Sequence, residues 1–264
     1  MADDGICFLV PTEVEAKTLL RRITYQKLPS RYELTMWQVK LGKRKDLLVV
    51  SGIGKVNAAF AIGAICSMNH IRLVIHFGIC GAYPSSNLHP GDVILVTRSI
   101  FADEGVLYEN QKIADYQDIG IPVLRCSGGE KIYESIRPDH FTLSAAKKIV
   151  PEGQYGNFTL KHGTICSVSM TSGSENVAKM RFDMYGAIAE DMETSAVLLG
   201  AAKALIPAVA VRGVSNYAGD RNKSEWKTDL ALQNATSIVV RLVEHVDDLV
   251  PLGQTRQHRR TIQQ

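Results

Sequence analysis

The sequence has no apolar run of membrane-spanning length, no Cys-x-x-Cys pair, no internal repeat, no low-complexity block and no Pro/Gly/Ser-rich linker. Each absence removes a class of protein. Without about 20 consecutive apolar residues, no membrane-spanning helix is expected. The five cysteines (Cys7, Cys66, Cys80, Cys126, Cys166) are odd in number, scattered and mostly set in apolar runs. That pattern argues against a disulfide framework or a thiolate zinc site and fits buried thiols in a reducing compartment. The N-terminal MADDGICFLV is acidic where a signal peptide is basic, so a cytoplasmic protein is expected. A formal charge of +3 is too small to suggest nucleic acid as partner. Much of the basic excess lies in Arg256, Arg259 and Arg260 of the closing GQTRQHRRTIQQ. With 264 residues, 45% of them apolar, the chain has enough core for one large α/β domain. One domain is expected over residues 1–251, with 252–264 a polar basic tail that is solvated and disordered.

What is present centres on residues 187–220, AIAEDMETSAVLLGAAKALIPAVAVRGVSNYAGD. The stretch reads as a strand, a helix from Met192 to about Leu205, a second strand over 208–214 and a polar loop. The helix is small and apolar on most sides, so it is expected to be buried. Yet Asp191 and Glu193 stand at its start, and no Lys or Arg follows until Lys203. A carboxylate entering an apolar core is costly unless something partners it. Ser215 and Asn216 end the second strand, where buried α/β strands place their ligands. Both polar clusters are expected to face one crevice. The plainer alternative has Glu193 capping its helix and Asn216 serving as an ordinary turn residue.

Upstream, residues 6–10 form a buried strand ending at Pro11. Thr12 and Glu15 then match a capping box, and the same step places Glu13 and Glu15 at the mouth of the sheet. Residues 33–40 and 46–51 read as a hairpin around Leu41-Gly42-Lys43. SGIGKVNAAFAIGAICSMNH runs from a Gly-rich turn into a long helix. It is no phosphate loop: Val49 and Val56 break the Walker pattern, and Asn57 breaks the dinucleotide fingerprint. The glycines suit a tight turn and close approach to a ligand. A strand over 72–77 runs into Gly78-Ile79-Cys80-Gly81-Ala82, baring backbone N–H groups. Further strands are expected at 91–100 and 163–170, and a helix at 174–182. A long amphipathic helix is expected at 226–249, and a loop-rich excursion over 106–160 with one helix near 140–148. Buried strands alternating with helices predict a three-layer α/β/α sandwich around a central twisted mixed sheet.

In order, Pro11-Thr12-Glu13-Val14-Glu15, SGIGKVNAA (51–59), FGICGAYP (77–84), GDV (91–93), ADEGV (102–106), EDMETSAV (190–197) and VRGVSNYAGDR (211–221) resemble the nucleoside phosphorylase and nucleosidase superfamily. Within it the chain is similar to the methylthioadenosine/adenosylhomocysteine nucleosidases and still more to the futalosine hydrolases. The likeness covers most of the chain and is weakest over 107–160. It implies cleavage of a purine N-glycosidic bond. Met192 would pack on the ribose, and Glu193 would accept hydrogen bonds from the 2′- and 3′-hydroxyls and stabilise an oxocarbenium-like transition state. Glu15 would activate the attacking water, with Glu13 the neighbour that could exchange roles with it. Ile79, Cys80, Gly81 and Ser215 would line the substrate site. Acids after the first strand repel phosphate and suit water, so hydrolysis is expected over phosphorolysis.

Adenosine-type nucleosidases carry Asp where this chain has Asn216. An amide can donate to O6 or N7 of a 6-oxopurine, which points to futalosine, hypoxanthine release and menaquinone biosynthesis. The alternatives are a methylthioadenosine- or inosine-type nucleosidase or phosphorylase, and a non-catalytic nucleoside-binding protein. The resemblance implies a homo-oligomer with neither metal nor cofactor, and assigns no residue to the acyl-benzoate end of futalosine.

Overall fold

The computed structural model describes residues 5–41, 44–68, 71–109, 113–126 and 128–250. The expected tail at 252–264 and the turn residues Gly42 and Lys43 lie outside the described residues. The longer strands and the site-forming strand of the sheet are β1 (Gly5–Val10), β2 (Thr24–Lys27), β3 (Thr35–Leu41), β4 (Arg44–Val50), β5 (Ile71–Ala82), β6 (Val93–Phe101), β7 (Phe158–Ser167), β8 (Ala189–Asp191) and β9 (Ala208–Tyr217), with the short strands Ser135–Ile136 and Gly153–Tyr155 added to β6 and β7. Its main helices are α1 (Glu13–Leu20), α2 (Lys55–Met68), α3 (His140–Ile149), α4 (Glu175–Tyr185), α5 (Thr194–Lys203) and α6 (Thr228–Glu244), followed by a short α7 (Val246–Leu249).

Strand β1 is buried from Ile6 onward and sits centrally, parallel to β4 on one side and β5 on the other. Its side chains alternate as a two-faced strand requires. Ile6, Phe8 and Val10 pack with α1, α6 and α7 through Leu19, Ile238, Val239, Leu242 and Leu249. Cys7 and Leu9 pack with α2 and α5 through Ala58, Ile62, Ile65, Val197 and Ala201. Helices therefore cover both faces, giving the three layers expected.

The expected hairpin is β3–β4, antiparallel, with Leu41 opposite Arg44. Beyond β5 the sheet does not stay open. β9 pairs in parallel with β5 and antiparallel with β6; β6 pairs with β7, β7 with β8, and β8 returns to β5. These five strands close a ring at one end of the sheet. The closure brings the C-terminal ends of β5, β8 and β9 together beside that of β1.

Several elements differ from expectation. β7 begins at Phe158, ahead of the expected 163, because Gly153–Tyr155 folds back against it as a hairpin. β2 was not anticipated; it is an exposed edge strand, TYQK, with no apolar alternation to reveal it. The closing helix is interrupted at His245, and Trp226 precedes it. The excursion over 106–160 holds α3 and several two- or three-residue strands. No helix among the described residues is long and apolar enough to cross a membrane.

Candidate active site

Helix α5 starts at Thr194, not Met192, because Asp191 fixes its first turn. The Asp191 carboxylate accepts from the Thr194 backbone N–H at 3.1 Å and from the Thr194 hydroxyl, and from the Ser167 hydroxyl at 2.5 Å. Glu193 occupies the cap position without capping through its side chain. It reaches across to the turn before α2, accepting from the Gly54 N–H at 2.8 Å. Gly54 can aim that N–H because its φ is +92°, a conformation that favours glycine. The capping alternative for Glu193 is therefore replaced by a bond to a distant turn.

The missing partner of these acids is Arg212, in the middle of β9. Its side chain is fully buried. Nε lies 2.8 Å from Asp191 Oδ2, and Nη2 lies 2.7 Å from the same oxygen and 3.7 Å from Glu193 Oε2. Nη2 also donates to His76 Nε2. His76 Nδ1 lies 2.8 Å from the Leu9 carbonyl, which fixes the tautomer with Nδ1 as donor and Nε2 as acceptor. Burial, and then the Arg212 charge, lowers the pKa of His76, so the ring stays neutral. His76, Asp191 and Glu193 offer a metal-like donor set, but the guanidinium already stands among them as their cation.

Glu15 carries out two tasks. It completes the capping box with Thr12, accepting from the Thr12 N–H and hydroxyl, each at 2.8 Å. Its other oxygen accepts from the Ile79 N–H at 3.1 Å. A Cβ on Gly78 would come within 2.5 Å of Glu15 Oε1 and 2.6 Å of Arg212 Nη1, so the missing side chain makes room for both. Burial raises the Glu15 pKa against the opposing pull of Arg212 and these hydrogen bonds. Burial, and then Asp191, raises Glu193 to about 7, with Arg212 and Gly54 opposing. Burial works against the Arg212 charge, but Asp191, Glu193 and Glu15 outweigh it.

These groups open on a cavity of about 540 Å³ that Glu15, Ile79, Cys80, Gly81, Met192, Glu193, Ser215 and Asn216 all line. The two polar clusters flanking α5 do share one crevice. Glu13 is the exception: it is exposed on α1 and is not among the residues lining the cavity, because the first helical turn swings it outward while Glu15 points in. Asn216 is held more firmly than a turn residue would be. Its Oδ1 accepts from the Ser215 hydroxyl at 2.7 Å, and its NH₂ donates to the Tyr217 carbonyl at 2.8 Å and, at 3.5 Å, to that of Asp220. Only one of its two N–H donors is strongly engaged.

Residues 5–244, nearly the whole described chain, match the family model of the Phosphorylase superfamily. The chain belongs to the Phosphorylase superfamily. A futalosine hydrolase of Thermus thermophilus is 29% identical over 73% of this chain and 79% of its own. A 5′-methylthioadenosine/S-adenosylhomocysteine nucleosidase of Glaesserella parasuis is 24% identical over 91% and 98%. The native structure of futalosine hydrolase of Helicobacter pylori superposes with a TM-score of 0.75 at 17% identity, covering 92% of this chain and 98% of its own. In this member of the superfamily, sequence reasoning gave Arg212 and His76 no part in the site. A lone arginine inside the apolar run AVAVRGV was the available signal, since a buried guanidinium requires acids.

Proposed function

We propose that the chain is an N-glycosidase that hydrolyses futalosine to hypoxanthine and the dehypoxanthinyl sugar, within menaquinone biosynthesis. The observation that carries hydrolysis is the position of Glu15. The N–H groups of Thr12 and Ile79 that could cradle a phosphate already donate to its carboxylate. A second anion would be repelled there, whereas water would be deprotonated. Arg212 Nη1 stands beside Glu15, and its charge favours the carboxylate form that takes the water's proton. Glu193 accepts from the ribose hydroxyls and opposes the positive charge that develops as the glycosidic bond breaks. A non-catalytic binding protein would have no use for two buried acids held this way.

The choice of base rests on Asn216. Its weakly engaged N–H can turn to O6 of a 6-oxopurine. An ionised Asp in its place would face two backbone carbonyls and an oxygen of the base. The second reading, a methylthioadenosine/adenosylhomocysteine nucleosidase, is favoured by the longer coverage of the Glaesserella relative. Offering the enzyme futalosine, inosine and methylthioadenosine separately and identifying the free base decides between them: hypoxanthine from futalosine is expected, and adenine as the sole product would replace this reading with the second. We also propose that the chain pairs with a second copy through α2, whose Val56 is 84% and Phe60 53% exposed. That apolar face adjoins Ile53, which lines the cavity.

A further inference from the structure

The lysine that follows the glycines of SGIGKVNAA is the first residue of α2. A cation there opposes the helix dipole, and α2 has no acid in its first turn to offset it. The charge is spent on another loop instead. Lys55 Nζ lies 2.5 Å from Asp103 Oδ1 and 2.6 Å from Glu104 Oε1, both just beyond the end of β6. The Lys55 and Asp103 side chains are only 10% and 11% exposed, so this is not a solvated surface pair.

Both acids use their remaining oxygens. Asp103 Oδ2 accepts from the Ser169 N–H at 2.5 Å and the Met170 N–H at 3.3 Å. Glu104 Oε2 accepts from the Tyr116 hydroxyl at 2.9 Å. Ser169 and Met170 follow β7, and the next residue, Thr171, lines the cavity. Around Thr171, Arg181 Nη2 donates to the Met170 carbonyl and the Ser172 N–H donates to Glu190. At the lysine's own end, Gly54 gives its N–H to Glu193 and Ile53 lines the cavity. One ion pair therefore joins the turn that holds Glu193 to the segment that carries Thr171.

We propose that Lys55 and Asp103 are positioning residues, whose ion pair holds the Gly54 N–H on Glu193 and sets that carboxylate against the Thr171 side of the cavity. On the reading under "Proposed function", which this deepens, Glu193 meets the ribose hydroxyls. Neither Lys55 nor Asp103 is among the residues lining the cavity, so both act through the segments they tie. The groups facing Glu193 are Asp191 and Glu15, which oppose its ionisation, and Arg212 and the Gly54 N–H, which favour it. His76 stands neutral beside Arg212. Lys55 and its two acids carry opposite charges. As bare charges, removing the one or the others shifts the Glu193 titration in opposite directions. As parts of one positioning device, either removal loosens Gly54 and shifts it upward.

The test labels the full chain with nitrogen-15 glycine and follows the Gly54 amide resonance across pH, without substrate. The variants are Lys55→Met, Lys55→Arg and the double Asp103→Asn/Glu104→Gln. Loss of its titration in Glu193→Gln identifies the resonance. In the double variant the amide oxygens can stay on the Ser169 N–H and Tyr116 hydroxyl while their NH₂ groups turn to the lysine. It therefore carries the test if Lys55→Met does not fold. The midpoint, about 7 in the parent, should rise by about one pH unit in Lys55→Met and in the double variant, and return in Lys55→Arg. With futalosine, kcat should fall about tenfold and the rising limb of kcat/KM should move up with the midpoint. Adding Lys55→Met to Glu193→Gln should cost less than about twofold more, because the two act as a unit. A midpoint that stays in place, or moves in opposite directions in the two variants, overturns the positioning role. So does a Lys55→Met variant with a lower melting temperature but the parent's midpoint and kcat. Because the amide is read without turnover, a parent that shows these shifts but does not cleave futalosine contradicts the functional reading and leaves the positioning role standing.

Discussion

Arg212 is one cation facing three buried carboxylates, those of Asp191, Glu193 and Glu15. Burial, chiefly, and then Asp191, lifts Glu193 from its ordinary 4.5 to about 7. Between those values the folded chain holds a proton that the unfolded chain has released, so this group's contribution to stability falls as pH rises through the window. Glu193→Gln removes that loss. It is expected to gain thermal stability relative to the parent between about pH 5 and about pH 8, by no more than about 3 kcal/mol. Turnover should fall about 10²-fold or more, the scale of a lost transition-state partner. Paired melting curves and kcat measurements check both; a stability difference flat with pH, or near-normal turnover, contradicts the role given to Glu193. For the parent, kcat/KM should climb with pH toward about 7 as Glu193 ionises, with the raised Glu15 adding to the same limb. Glu15→Ala should abolish hydrolysis while hypoxanthine still binds, and Glu13→Ala should resemble the parent. Loss of activity in the Glu13 variant with a working Glu15 variant would reverse that assignment.

At the level of elements, strands β1, β5 and β9 bring the site together, and the sequence revealed them unevenly. Continuous apolar runs announced β1, β5 and β9, and the helical spacing of α6 was equally plain. The ring closure was hidden, because β9 meets β6 across more than a hundred residues and no local pattern encodes such a pairing. The acids before α5 looked unpartnered because their base lies on the following strand; an acid pair without a base and a base in a buried strand were halves of one cluster. The start of α5 was misplaced for the same reason, since Asp191 bonds Thr194 and leaves Met192 and Glu193 outside the helix. Asn216, by contrast, was legible by type and place, although its bonds to Ser215 and Tyr217 were not. Those bonds sharpen its test. Asn216→Asp puts a carboxylate against the Tyr217 and Asp220 carbonyls, favouring a protonated acid. It should lower kcat/KM for futalosine and raise it for the 6-amino analogue. An unmoved ratio between the two, in a folded variant, would mean that Asn216 does not read the base.

The whole molecule places a buried charge cluster, Arg212 with Asp191, Glu193 and Glu15, at a cavity that Arg221, Lys223 and Trp226 also line. Its α2 face, with Val56, Phe60 and Tyr32 exposed, is expected to be covered by a second copy. Sedimentation equilibrium should give a dimer mass, and Phe60→Glu should shift it toward the monomer; a monomeric parent contradicts the pairing. Turnover of futalosine in water labelled with heavy oxygen, with and without phosphate, separates hydrolysis from phosphorolysis. Hypoxanthine should be released at the same rate in both, with one labelled oxygen on the anomeric carbon of the sugar. A phosphate requirement, with an unlabelled sugar 1-phosphate as product, would contradict hydrolysis.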